Sequence, residues 1–250
     1  MIKWFAMLAS LACCQGTSPP PPGSGAVASG SAPVPPAPVV TTPTFKGHMR
    51  DHFGAVSELQ RAITRGHLDE AKRHARWLVD HDDDALAVWK PRLEKMRVAA
   101  RAVMEARDLP SAAVSAATLG RACSACHEEH AATIAFEWSE PVDDSPTLAS
   151  QMKRHQWAAA RLWEGLVGPS DEMWTQGATL LATTKLDAFP AVAGSAASPT
   201  VPTLAARVRE LATRATTESD SDARATLYGE LLSTCASCHA IARPAPVPDP

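Results

Sequence analysis

Tyrosine occurs once in this chain, at Tyr228, and strand-like runs of Val, Ile and Thr are missing. That scarcity speaks against a sheet-based fold. Alanine is abundant and loses no side-chain entropy in a helix, so an all-α fold is expected. A concentration of positive charge is also lacking. The formal net charge is −3, which leaves no electrostatic footprint for nucleic acid, and no nucleic-acid partner is expected. No constellation of catalytic base and nucleophile is legible, so an enzyme is not expected. Cysteine is confined to three close pairs, Cys13/Cys14, Cys123/Cys126 and Cys235/Cys238, and each pair needs its own account. With 250 residues there is room for one or two domains.

The first pair belongs to the start of the chain. Lys3 supplies a positive charge, WFAMLASLA is a short apolar run, and Cys13 follows Ala12. The run is too short to span a membrane and has the pattern of a secretory signal. SLAC before and at Cys13 resembles a bacterial lipobox. Residues 1–12 are therefore expected to be a signal peptide and Cys13 a lipidated N-terminus, with export to the periplasm or outer face of a membrane. Residues 13–44 follow as a Pro-, Gly- and Ser-rich stretch that cannot bury a core and is expected to be a disordered tether. In polyproline II its reach is about 90 Å, at roughly 3 Å per residue. The final segment, 244–250, is expected to be irregular as well.

Between these ends the sequence repeats itself. Cys123-Ser-Ala-Cys126-His127 returns as Cys235-Ala-Ser-Cys238-His239, 112 residues later. Met49-Arg-Asp-His52 returns as Met152-Lys-Arg-His155, 103 residues later. Gly66-His-Leu-Asp-Glu70 aligns with Gly168-Pro-Ser-Asp-Glu172. The order is the same in both halves, which predicts two homologous modules at 45–140 and 147–243, each of four helices.

Apolar spacing places these helices. Met49, His52, Phe53, Val56, Leu59 and Ile63 share the face of a first helix. Leu68, Ala71, Ala75 and Leu78 mark a second, begun by the acidic pair Asp69 and Glu70. Leu93, Met96, Ala100 and Val103 mark a third, and a fourth runs from about Ser111, its expected N-cap, to the cysteines. The second half predicts helices near 147–166, 171–183, 202–217 and 221–241, with an inserted loop between the second and third.

A thioredoxin-like CxxC opens a helix after a strand, whereas both motifs here close a helix. A zinc site needs four ligands, usually from two short pairs close in sequence, and these pairs lie about a hundred residues apart. A disulfide suits an exported protein but leaves the following histidine without a role. CxxCH uses every atom if the thiols add to the two vinyl groups of haem and the histidine ligates the iron. The i, i+3, i+4 spacing puts both sulfurs and the imidazole on one helical face. Two covalently attached haems c are therefore expected. Cys123, Cys126, Cys235 and Cys238 are the thioether anchors, and His127 and His239 the proximal iron ligands.

A four-helix unit with CxxCH in its last helix resembles the cytochrome c′ and c556 group of class II c-type cytochromes. The resemblance covers both modules and rests on the motif position and the first-helix pattern. It implies tandem four-helix bundles, electron transfer with other redox proteins or, in open-site members, gas binding. It also implies that a first-helix residue faces the distal side of each haem. MxxH offers two such residues per half on one helical face: His52 and His155, or else Met49 and Met152. Methionine often fills gaps in cores, while a polar ring on an apolar stripe needs a partner. His is thus the preferred sixth ligand, with Met and an open site as alternatives.

The remaining polar residues read more plainly. His67, His74 and His81 suit solvated helix or loop positions. Trp77, Trp89, Trp157 and Trp163 suit core or haem packing. His48 and His130 lie near the motifs without counterparts in the second half, and the acidic run at 80–84 suits a solvated loop. The expected function is single-electron transfer near a membrane surface to which the chain is lipid-anchored. A gas-binding protein and a dihaem peroxidase are the rival expectations.

Overall fold

The described residues form eight helices: α1 (Pro43–Thr64), α2 (Leu68–Asp80), α3 (Lys90–Glu105), α4 (Leu109–Glu129), α5 (Leu148–Val167), α6 (Asp171–Thr183), α7 (Thr200–Ala215) and α8 (Ser221–Ala242). The computed structural model describes residues 43–81, 89–137, 139–141, 143–185 and 200–242, and none of these is in a strand. The all-α expectation holds. The expected signal peptide, Cys13, most of the tether, Asp82–Asp84, most of the inserted loop and the tail lie outside the described residues. None of the described helices is long and apolar enough to cross a membrane.

Helix starts and stops follow local chemistry. The expected cap of α4 was Ser111, and the structure corrects this to Asp108. Asp108 Oδ1 accepts from the Ser111 N–H at 2.8 Å, and Ser111 Oγ accepts from the Asp108 N–H at 3.3 Å. The reciprocal pair moves the start three residues upstream, because Pro110 is tolerated in a first turn that needs no N–H from it. α1 begins at Pro43, inside the stretch read as tether, for the same reason. It ends where Gly66 takes a positive φ of 79°. The Gly66 N–H then bonds Ile63 O and the His67 N–H bonds Ala62 O, which satisfies two end carbonyls and turns the chain into α2. Thr147 and Ser170 cap α5 and α6 by accepting from Ser150 N–H and Met173 N–H.

Within each half, consecutive helices pack against each other and the first meets the fourth. The most extensive helix contact, however, joins the halves: α4 lies along α8. α4 presents Ala113, Ala116, Ala117 and Gly120 among its buried residues. Small side chains let the axes approach, and a Cβ on Gly229 of α8 would sit 3.3 Å from Ala117 Cβ. The pair is antiparallel: Arg121 Nε reaches Asp222 Oδ1 at 2.6 Å and Ser221 Oγ donates to Glu128 at 2.8 Å, while Gly229 lies against Ala117 and Val114. α1 also touches α8, and α4 touches α5.

The core is continuous across this seam. Leu59, Ile63, Leu78, Val103 and Leu119 from the first half join Leu162, Trp163, Trp174, Leu211 and Tyr228 from the second in one buried cluster. Each full burial of such a side chain contributes roughly 1.5–3 kcal/mol. Trp174 is anchored by its Nε1–H to Ala215 O at 2.8 Å, and Tyr228 packs 5.5 Å from Trp163 between ring centroids.

Candidate cofactor site

The antiparallel seam carries the two CxxCH motifs to opposite ends of the α4–α8 pair. Arg121, just before the first motif, stands level with Asp222 at the start of α8. Thirteen residues separate Asp222 from Cys235, which is roughly 20 Å of helix at 1.5 Å per residue.

In the first half the motif borders a cavity of about 470 Å³, within the usual range of about 300–1,000 Å³ for ligand sites. α4 contributes Cys123, Cys126 and His127, and α1 contributes Met49, His52 and Phe53. Leu93 and Met96 come from α3, and the segment after α4 closes one side with Ile134 and Phe136. Phe136 is positioned by Phe53, 5.1 Å away between centroids, and by Gly168, where a Cβ would fall 2.5 Å from its ring. Arg50 and Arg92 are the cationic lining residues. Arg92 is also paired with Glu129.

The His127 Nδ1–H donates to Val167 O at 2.8 Å. That carbonyl is at the C-terminus of α5, where the last four C=O groups have no partner within the helix. The bond fixes the tautomer and the ring orientation, and it leaves the Nε2 lone pair for a metal. A helix of the second half therefore aims the histidine of the first. Burial pushes the Cys123 thiol up to about 12, with Cys126 adding to the shift, and burial raises Cys126 as well. Both thiols are thus neutral at physiological pH, and neither is in a disulfide.

In the second half the first-helix histidine meets the motif directly. His155 Nε2 lies 3.7 Å from Cys235 Sγ, and both residues are buried. Burial, with a smaller contribution from the nearby His239, lowers the His155 pKa to about 4. The imidazole is neutral, which is the form that ligates metals. His155 Nδ1 is buried with no hydrogen-bond partner, a state that is unfavourable for a polar atom. Met152 is half-buried one turn earlier. Cys235 is pushed up to about 12 by burial and by Cys238, and Cys238 is raised by burial too.

A haem attached at CxxCH fits the first site. The lining is apolar, the thiols and His127 share its wall, and two arginines suit the carboxylate arms of the porphyrin. The second site has the same donor set, but there His155 and Cys235 are in direct contact. The first-helix residues expected on the distal side, Met49 and His52, line the first cavity.

Other expectations need correction. His81 is not a solvated loop residue: it is half-buried and stacked on Trp77 at 4.2 Å. Trp77, expected in core or haem packing, is 37% exposed and packs on His81 and His52. Trp163 is core, as expected, and Trp157 is half-buried with Nε1–H bonded to Ser139 O. Val167, Phe136 and Arg92 carried no sequence signal, since none lies in a repeated motif, whereas Arg50 lies inside MxxH, where Lys153 matches it. Comparison with protein-family models, curated proteins and solved structures returned no match.

Proposed function

We propose that the chain is an exported, lipid-anchored dihaem c-type cytochrome, built as two tandem bundles resembling cytochrome c′, that passes single electrons between redox partners near a membrane. The observation that carries this reading is the convergence of Cys123, Cys126 and His127 on one apolar cavity, with His127 Nδ1–H committed to Val167 O. The same motif recurs in the second half opposite a buried, neutral His155.

Bound haem would supply reversible one-electron chemistry at its iron. The chain's own residues do the rest. Cys123 with Cys126, and Cys235 with Cys238, would hold the two groups covalently. His127 and His239 would ligate iron, with His52 and His155, or else Met49 and Met152, as the candidates for a further ligand. The apolar walls of the first cavity would exclude water, and Arg50 and Arg92 would pair with carboxylates.

Mass spectrometry of the denatured protein, made in a host with haem-attachment machinery, is the test. Two added haem masses are expected, and one after Cys123→Ala with Cys126→Ala. Fewer than two on the unaltered chain sinks the proposal. Fatty-acid labelling that disappears in Cys13→Ser tests the anchor.

A gas-binding reading has one observation in its favour. His52 packs against His48 with ring centroids 4.1 Å apart, and a first haem not reached by His52 or Met49 would admit a ligand. Carbon monoxide that changes the visible spectrum of one haem supports that reading; two low-spin haems indifferent to the gas support electron transfer.

A further inference from the structure

The repeat explains MxxH and CxxCH, but it does not explain His48 and His81. At the position matching His48 the second half has Gln151, whose amide donates to Asp144 Oδ1 and Ser145 O. In the first half, His48 and His52 stand one helical turn apart on α1, so their side chains share a face. His81 closes α2, and the α1–α2 hairpin returns it to that same face. One ligand nitrogen from each of the three rings lies within 4.8 Å of the other two.

Three features hold these rings in place. The His81 N–H bonds Trp77 O at 2.9 Å, and His81 O accepts from Arg97 Nη2 of α3 at 2.8 Å, so its backbone is fixed from two sides. Trp77 stacks on the His81 ring with an interplanar angle of 24° and meets His52 edge-on at 5.8 Å. His52 is buried, whereas His48 and His81 are half-buried.

We propose that His48, His52 and His81 form a three-imidazole site for a divalent transition-metal ion of the zinc type, separate from the two haem irons. Tetrahedral zinc with Zn–N bonds of about 2.0–2.1 Å requires ligand nitrogens about 3.4 Å apart. Binding requires the three nitrogens, now within 4.8 Å of one another, to draw in to that separation. Imidazole donors without thiolate select borderline ions such as zinc over calcium or magnesium. Three protein ligands leave a fourth position, on the half-exposed side, for water or an anion. A neutral imidazole has one lone pair on its unprotonated nitrogen, so His52 serves either this ion or the haem iron. With the metal bound, Met49 is the remaining first-helix candidate for the first haem.

The metal site does not depend on the haem reading, because zinc is counted per chain. The experiment is equilibrium binding of zinc to the full-length protein as purified, by competition with a chromophoric chelator, followed by elemental analysis. One zinc per chain is expected. His48→Ala and His81→Ala should each weaken binding by on the order of 100-fold or more, beyond the loss typical of supporting residues. His67→Ala, on exposed α2 surface beside Glu70, should leave binding unchanged. Zinc should raise the melting temperature of the unaltered chain and of His155→Ala, but not of His81→Asn, which reports on the site even if an alanine variant is unstable. No bound zinc, or binding and a thermal shift both retained in His81→Asn, overturns the proposal. A zinc-dependent change in the spectrum of a single haem adds that His52 is shared; its absence with zinc bound assigns His52 to zinc alone.

Discussion

His155 shows how burial sets the chemistry of one side chain. Its pKa of about 4 lies below the ordinary histidine value of about 6.5. Between those values the unfolded chain binds a proton that the folded chain does not. The stability carried by the neutral ring is therefore fully present above about pH 6.5 and is lost as pH falls through about 4. Acidification from pH 7 to pH 4 should destabilise the cofactor-free protein relative to its His155→Gln variant by about 3 kcal/mol, read by urea unfolding at the two pH values. Ligation provides a second prediction for the same residue. On the proposed dihaem reading, His155→Ala should turn one haem high-spin or open it to carbon monoxide and leave the other alone. Met152→Leu, which keeps volume and apolarity, should disturb the spectrum little. If the methionine change opens the site and the histidine change does not, Met152 is the ligand. An axial methionine would also raise the reduction potential relative to two histidines.

Among the elements, the α4–α8 pair does most to define the structure. Its close approach depends on residues with little or no side chain, and Gly120 gives α4 a local close approach to Trp163 of α5. A Cβ on Gly120 would lie 2.8 Å from the Trp163 ring, which is itself buried against Tyr228. Gly120→Leu should thus destabilise by about 1–3 kcal/mol through overpacking. Gly54 is the contrast, an exposed residue in the middle of α1 with open space around its Cβ position. Gly54→Ala should stabilise by roughly 0.5–1 kcal/mol, because alanine restricts the unfolded backbone and suits a helix. Paired urea unfolding curves measure both, and a glycine effect of the same sign at the two sites would contradict the packing described.

For the whole molecule, antiparallel packing of the motif helices keeps the two candidate cofactor sites apart. At roughly 20 Å, two unit charges interact by about 0.2 kcal/mol at a dielectric of 80 and about 0.8 kcal/mol at 20. If both motifs carry haem as proposed, the two centres should accordingly titrate nearly independently. Potentiometric titration of the full protein and of the Cys123→Ala, Cys126→Ala variant should give nearly the same midpoint for the second haem. A shift well above that range would mean that the sites are coupled through the shared core.

The all-α class, the helix positions and the candidate thiols and histidines were legible in the chain because each rests on local chemistry. Apolar spacing, caps and the Cys-x-x-Cys-His run are set by residues within a few turns of each other. The start of α4 was misplaced because Asp108 and Ser111 are both good caps, and only the bonds between them decide which residue lies outside the helix. What the sequence could not decide lies between residues far apart in the chain. The seam of α4 on α8, the bond from His127 to Val167 and the meeting of His48, His52 and His81 each join segments whose separate patterns say nothing of one another. The repeat implied equivalent halves. The tertiary structure made them unequal, because one set of contacts gives the first half a lined cavity and a histidine cluster, while the other brings His155 against Cys235.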